Sequence, residues 1–179
     1  MEKFLLPRKS RGQRGFTLLE TIVAITILTI GLLSVAALMS QMVRSTSNSR
    51  AMSTAAMLAT EKLEDLNRFP STDPNVANGG GLGADVANYF DTVQVSAGSG
   101  TISVNTAGTI ITHNPDGTIT NVAPPAGAET MTFNRRWQIE VNPVVNGTAI
   151  TNARRVTVFV TLPQAGTSPV TFQTSMVRP

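Results

Sequence analysis

Cysteine is absent from this 179-residue chain, so no disulfide staples the fold and no thiolate can act as nucleophile, redox centre or metal ligand. Histidine occurs once, at His113, which leaves almost no material for a nucleophile–base pair or a His-containing metal cluster. A lone His beside a turn reads as a solvated side chain. Proline is missing between Pro7 and Pro70, and Gly31 is the only helix breaker from Phe16 to Phe69. Charge is missing from Phe16 to Val43 apart from one carboxylate, Glu20. The first two absences argue against an enzyme and against a bound cofactor or metal. The last two leave room for a long helix that is apolar all round.

That 28-residue run is the dominant positive feature. At ~1.5 Å per residue it reaches about 42 Å, more than the ~30 Å hydrocarbon core of a bilayer. A secretory signal has an apolar stretch of only about 7–15 residues followed by a small-residue cleavage site. Neither holds here, so the run is expected to persist as an anchor. Lys3, Arg8, Lys9, Arg11 and Arg14 precede it against Glu2 alone, which places the leader on the cytoplasmic side and the rest of the chain outside. The whole chain holds fourteen basic and eleven acidic residues with a pI near 10. Without residues 1–15, nine basic face ten acidic, so the basicity belongs to the leader and is no sign of a nucleic-acid-binding head. A carboxylate at membrane depth costs roughly 2.5–3.5 kcal/mol on insertion scales, so Glu20 is a functional candidate in its own right.

Beyond the run, Met52, Ala55, Ala56, Ala59, Leu63 and Leu66 recur at spacings of three and four, marking one helical face. The pattern predicts a continuous helix from about Phe16 to Arg68, on the order of 80 Å long. The alternative is two helices hinged in Ser45–Ser49. Glu64 with Arg68 is an attractive i, i+4 pair, and Glu61 with Asp65 a repulsive one. Pro70 to Ala87 reads as loop, with Asp73-Pro74 and Asn78-Gly79-Gly80-Gly81.

After that the period becomes two. Tyr89–Val95, Thr101–Asn105, Thr109–His113 and Thr118–Val122 are candidate strands, with Asn114-Pro115-Asp116-Gly117 turning between the last two. Pro124-Pro125 and Gly127 interrupt the pattern. Met131, Phe133, Trp137, Ile139 and Val141 share one face with Arg135 as the exception. Val156, Val158, Val160 and Leu162 form a second alternating set, and Val170, Phe172 and Met176 a third. Asn146-Gly147 and Gly166 supply turns, giving an antiparallel meander with one buried face. The expected fold is α+β: a long N-terminal helix, transmembrane then amphipathic, packed on a C-terminal antiparallel sheet. The segments are a basic leader (1–15), an apolar helix (16–43), its amphipathic continuation (44–69) and a β-rich head (70–179).

The stretch Arg14 to Leu33, RGFTLLETIVAITILTIGLL, resembles the N-terminus of type IV pilins and of the pseudopilins of type II secretion. GFTLLE is the specific part: Gly, then an apolar residue, with Glu four positions further on. The resemblance implies a pilin-like fold and a structural subunit of a filament. It implies cleavage by a prepilin peptidase between Gly15 and Phe16, N-methylation of Phe16, and an assembly pair between Glu20 and the Phe16 amine of a neighbour. The implied partners are other pilin or pseudopilin subunits, the peptidase and an inner-membrane assembly platform. The implied location is the bacterial inner membrane, then a pilus or periplasmic pseudopilus. Asn134-Arg135-Arg136-Trp137 through Leu162, with IGLLSVAAL in the anchor, is similar to the minor pilins called PilV-like. The absence of cysteine departs from major pilins that carry a C-terminal disulfide loop. Gly31, Ser34, Ala36, Ala37 and Ser40 would let helices approach closely.

Other chemistry is thin. Asp85, Asp91 and Asp116 do not have calcium-loop spacing and read as turn and surface carboxylates. Arg135-Arg136 and Arg154-Arg155 would make a DNA-facing patch only if they were free; cross-strand pairing with Glu140 is the expectation. Asn146-Gly147-Thr148 fits a glycosylation acceptor, but Asn-Gly already serves as a turn. Two classes of function stay open: a filament subunit, or a binding module whose head captures DNA, a surface or an exported protein.

Overall fold

The computed structural model describes residues 16–96, 98–123, 130–163 and 169–179. Gly15 and the leader, Pro124, Pro125, Gly127 and Gly166 lie outside them. The chain divides into two units, Met1–Ser45 and Thr46–Pro179. Helix α1 (Leu18–Arg68) contributes to both and is helical through Gly31 and through Ser45–Ser49.

In the first unit every described residue is exposed. Thr17 caps the helix, its Oγ1 accepting the Glu20 N–H at 3.2 Å. The hydroxyls in the apolar run turn inward on the helix itself. Thr26 donates to the Ile22 carbonyl at 2.8 Å, Thr29 to Ile25 at 2.7 Å and Ser34 to Ile30 at 2.8 Å. Each of these three hydroxyls is thereby satisfied on the helix itself, as apolar surroundings require.

In the second unit α1 turns a narrow face of small residues to the sheet. Ala51, Ala55, Leu58, Ala59, Leu63 and Leu66 are buried. The expected stripe was shifted at one end: Met52 is exposed and Ala56 half-buried, while Ala51 and Leu58 carry the contact. The reason is packing distance. Alanine lets the helix settle close to the strands, and the longer Met52 is left at the rim. No Glu64–Arg68 ion pair forms among the described residues; Asp65 instead lies 3.6 Å from Lys62.

The strands in chain order are β1 (Gly79–Gly80), β2 (Phe90–Ser96), β3 (Thr101–Thr106), β4 (Thr109–His113), β5 (Ile119–Thr120), β6 (Thr130–Val141), β7 (Val144–Val145), β8 (Thr148–Ala149), β9 (Arg154–Leu162) and β10 (Val170–Arg178). Every pairing is antiparallel, in the order β10-β9-β6-β2-β3-β4-β5, with β1 also on β6. The α+β architecture and the terminal meander β6-β9-β10 are as expected. Phe133, Trp137 and Ile139 on β6 meet Val156, Val158 and Val160 on β9 and Val93 on β2, closing the core against α1.

Two segments differ from expectation. Asn146-Gly147 does not turn β6 into β9; it closes a separate small hairpin, β7–β8, inserted between them. Both residues have positive φ, 50° and 81°, as a two-residue hairpin requires. The supposed loop at Gly79-Gly80 is a strand, because Gly80, at φ 84°, lies so close to the Trp137 carbonyl that a Cβ would collide with it. Its neighbour Val76, in a 3-10 turn Pro74–Val76 capped by Asp73, is fully buried. Tyr89 ties this corner down by donating its hydroxyl to the Ala77 carbonyl at 3.1 Å.

Candidate functional site

Two groups of charge are set in apolar surroundings, one in each unit, and they are handled in opposite ways. In the first unit Phe16 precedes α1 with 83% of its surface exposed, and Glu20 sits in the first helical turn. The helix N-terminus favours a carboxylate there. Thr17 has already satisfied the Glu20 backbone, and the Glu20 carboxylate makes no ion pair or hydrogen bond to any described residue. The Thr-x-x-Glu spacing of a capping box was the available sequence signal for Thr17. Around Glu20 and along the following turns, Leu19, Ile22, Val23 and Ile27 are all exposed. The helix is long and apolar enough to cross a membrane. Chemically, the described part of this unit offers an apolar rod with an acid near its start that no described residue pairs.

Residues 10–36 match the family model described as prokaryotic N-terminal methylation motif. That match supports a type IV prepilin-like protein. No curated protein and no solved structure matches the chain. The motif belongs to structural rather than enzymatic proteins, and together with the apolar helix it fits a membrane-anchored pilin. It covers Gly15, Phe16 and Glu20, but only Phe16 and Glu20 lie among the described residues.

In the second unit several charges pair with one another. Asp91 on β2, expected as a surface carboxylate, is buried. Its oxygens accept from Arg135 Nε and Nη2, both at 2.8 Å. Arg135 Nη1 also donates to the Leu58 carbonyl of α1 at 3.1 Å. Lys62 adds a second cation 3.6 Å from Asp91 and lies 4.1 Å from the centre of the Trp137 ring. Arg135, the apparent exception in the apolar face of β6, is therefore part of the core. The break in alternation was its signal, and only the register Asp91↔Arg135 supplies the partner.

The other arginines of the sheet also have partners. Arg136 donates to Asp85 at 2.6 Å, Arg155 to Glu140, and Arg154 to the Val76 carbonyl. Glu140 thus serves one of the four arginines expected to use it. Arg178, which sequence reading missed, reaches from the end of β10 to the end of α1. It donates to the carbonyls of Leu66 at 3.1 Å, Asn67 at 3.0 Å and Phe69 at 2.8 Å. Those carbonyls are among the unpaired groups of a helix C-terminus, and a cation there also opposes the helix dipole. Asp116 does act in a turn: its carboxyl is held below the usual range, first by the Thr118 hydroxyl at 2.7 Å and then by the Thr118 N–H.

Proposed function

We propose that this protein is the precursor of a minor subunit of a type IV pilus, assembled through its N-terminal helix. In this reading a prepilin peptidase cuts between Gly15 and Phe16 on the cytoplasmic face and the new Phe16 amine is methylated. The methylated amine keeps its positive charge. Glu20 then pairs with the Phe16 amine of an adjacent subunit, which lowers the cost of an unpaired charge in an apolar bundle. The single observation that carries the reading is the methylation motif on an apolar stretch of helix, exposed throughout the first unit, whose lone acid has no partner within the described residues. The head stays on the outer side of the membrane and travels with the filament. The resemblance of the stretch from Asn134 to Leu162 favours the PilV-like group over a secretion pseudopilin. A DNA-capturing head loses its main support, because Arg135, Arg136, Arg154 and Arg155 are occupied within the fold.

Mass spectrometry of protein from its own envelope tests processing: the expected N-terminus is N-methyl-Phe16, and a chain that keeps Met1 beside an active peptidase overturns it. Sheared filament fractions test assembly. Glu20→Ala is expected to be absent from them while its membrane level holds, and incorporation at the unaltered level refutes the charge pair.

A further inference from the structure

Asn-Gly occurs twice in the chain, at Asn78-Gly79 and Asn146-Gly147, and the fold treats the two oppositely. The dipeptide carries a reaction of its own, because glycine has no Cβ to keep its amide nitrogen from the preceding side-chain carbonyl. Closing that five-membered ring turns the asparagine backbone and side chain together, so the site reacts only where the chain can leave its folded conformation. At Asn78 the corner would have to come apart. The Asn78 Oδ1 accepts the Val141 N–H at 3.2 Å. Gly79 is paired with Ile139, and a Cβ on it would lie 2.9 Å from the Tyr89 hydroxyl. At Asn146 far less holds the turn. β7 and β8 have two residues each and form a sheet of their own. Every residue from Val144 to Asn152 is exposed. Below the strands the hairpin is closed by the Ile150 N–H on the Pro143 carbonyl at 3.0 Å and the Asn142 N–H on the Ala153 carbonyl at 2.8 Å. A two-stranded ribbon of this size is marginal in water, so it opens while the main sheet stays folded.

We propose that Asn146 is a self-modifying position, converted without an enzyme to aspartate and isoaspartate. The closed turn holds Asn146 at φ 50° and Gly147 at φ 81°, so the reaction runs from the opened hairpin. There the Gly147 amide nitrogen, its proton taken by hydroxide, attacks Asn146 Cγ. The new N–Cγ bond forms as the Cγ–Nδ2 bond breaks, and Nδ2 leaves as ammonia with a proton from water. One water then opens the cyclic imide. Breaking the new N–Cγ bond gives aspartate; breaking the original peptide bond instead gives isoaspartate. Asp116-Gly117 is a poor competitor: the Thr118 hydroxyl, at 2.7 Å, helps keep Asp116 ionised, and a carboxylate resists nucleophilic attack. No charged residue lies between Val141 and Arg154, so either product gives this hairpin its first negative charge. Isoaspartate also adds a methylene to the main chain, which a two-residue turn cannot absorb. The hairpin is then lost while the core, to which β7 and β8 contribute no residue, is kept.

The test incubates the full chain, purified in detergent from its own envelope, at neutral and at alkaline pH. Peptide mapping at mildly acidic pH, with isoaspartate read by an isoaspartyl methyltransferase, follows both dipeptides. In the folded chain Asn146 is expected to convert at least about tenfold faster than Asn78, since each rate follows its locally opened population. Both rates should rise with pH and converge in urea. Because the chain has no native cysteine, Val144→Cys with Ala149→Cys, which face each other across the hairpin, can be oxidised to lock it. Oxidation should slow conversion at Asn146 and leave Asn78 unchanged, and reduction should restore it. Asn78 reacting as fast as Asn146 in the folded chain overturns the proposal. So does equal conversion of the locked and unlocked hairpin, or a sugar occupying the Asn146 amide in the purified protein.

Discussion

The two halves of one helix solve the burial of charge differently. Before Ser45, α1 exposes apolar residues on every side and leaves the Glu20 carboxylate without a partner among the described residues. After Thr46, the same helix buries a stripe of alanine and leucine and delivers Lys62 to an aspartate that Arg135 already holds. The sheet and the helix face packed on it pair their buried charges within the fold, whereas Glu20 has no partner among the described residues.

The largest expected effect separates the two halves directly. Asp91→Ala leaves Arg135 buried without its carboxylate and should cost about 3–5 kcal/mol of stability. Glu20→Ala should leave the same midpoint where it was. Thermal or urea unfolding in detergent, followed through Trp137, the only tryptophan, reads both. Equal losses from the two variants would erase the distinction.

Next comes the tie between the last strand and the end of the helix. Arg178→Ala strands carbonyls at the C-terminus of α1 and should cost about 1.5–3 kcal/mol, the range for hydrogen bonds to a charged group. Hydrogen exchange should show the loss concentrated at Leu63 to Arg68 rather than across the sheet.

A smaller effect runs the other way. Ala107 sits at φ 49° in the β3–β4 turn, beside Gly108 at φ 87°. The left-handed region costs an ordinary L-residue roughly 1–2 kcal/mol, and asparagine tolerates it better. Ala107→Asn should therefore stabilise the head by up to about 1 kcal/mol, seen as a higher unfolding midpoint, with no change in filament incorporation. Asn146-Gly147 already uses that solution in the β7–β8 hairpin.

The smallest effect is a pH dependence. The Asp116 carboxyl is lowered from 3.8 in the folded chain by the Thr118 hydroxyl and then its N–H. Its contribution is complete above the unfolded value and disappears as pH falls through the lower folded value. Thr118→Val should bring the Asp116 titration, followed by carboxyl NMR, back toward 3.8. An unmoved titration would show that the turn backbone alone sets it.

Much of this was visible in the residues. In Met131–Ile139 and Val156–Leu162 the period of two survives folding, since alternation and burial are one fact seen twice, whereas Thr118–Val122 yields only the exposed pair Ile119–Thr120. The acidic and basic side chains were harder to read. Arg135 looked like a flaw in an apolar face, Asp91 like a surface acid and Arg178 like a terminal residue, because each partner lies on another strand or helix, 44 and more positions away. Gly79-Gly80 read as loop, since the approach of the Trp137 carbonyl is a property of the packed corner and not of the dipeptide.

By itself the sequence determined the long apolar run, the acid within it, the shift from helical to strand period, and so the α+β class. Those follow from local order, where spacing along the chain fixes which side chains share a face. Only the tertiary structure decided that Asp91 and Arg135 form a buried pair, that Arg178 finishes the helix, and that β10 is left at the margin of the sheet. These depend on strand order and register, which are set by summed packing across distant segments and which no short window of residues encodes.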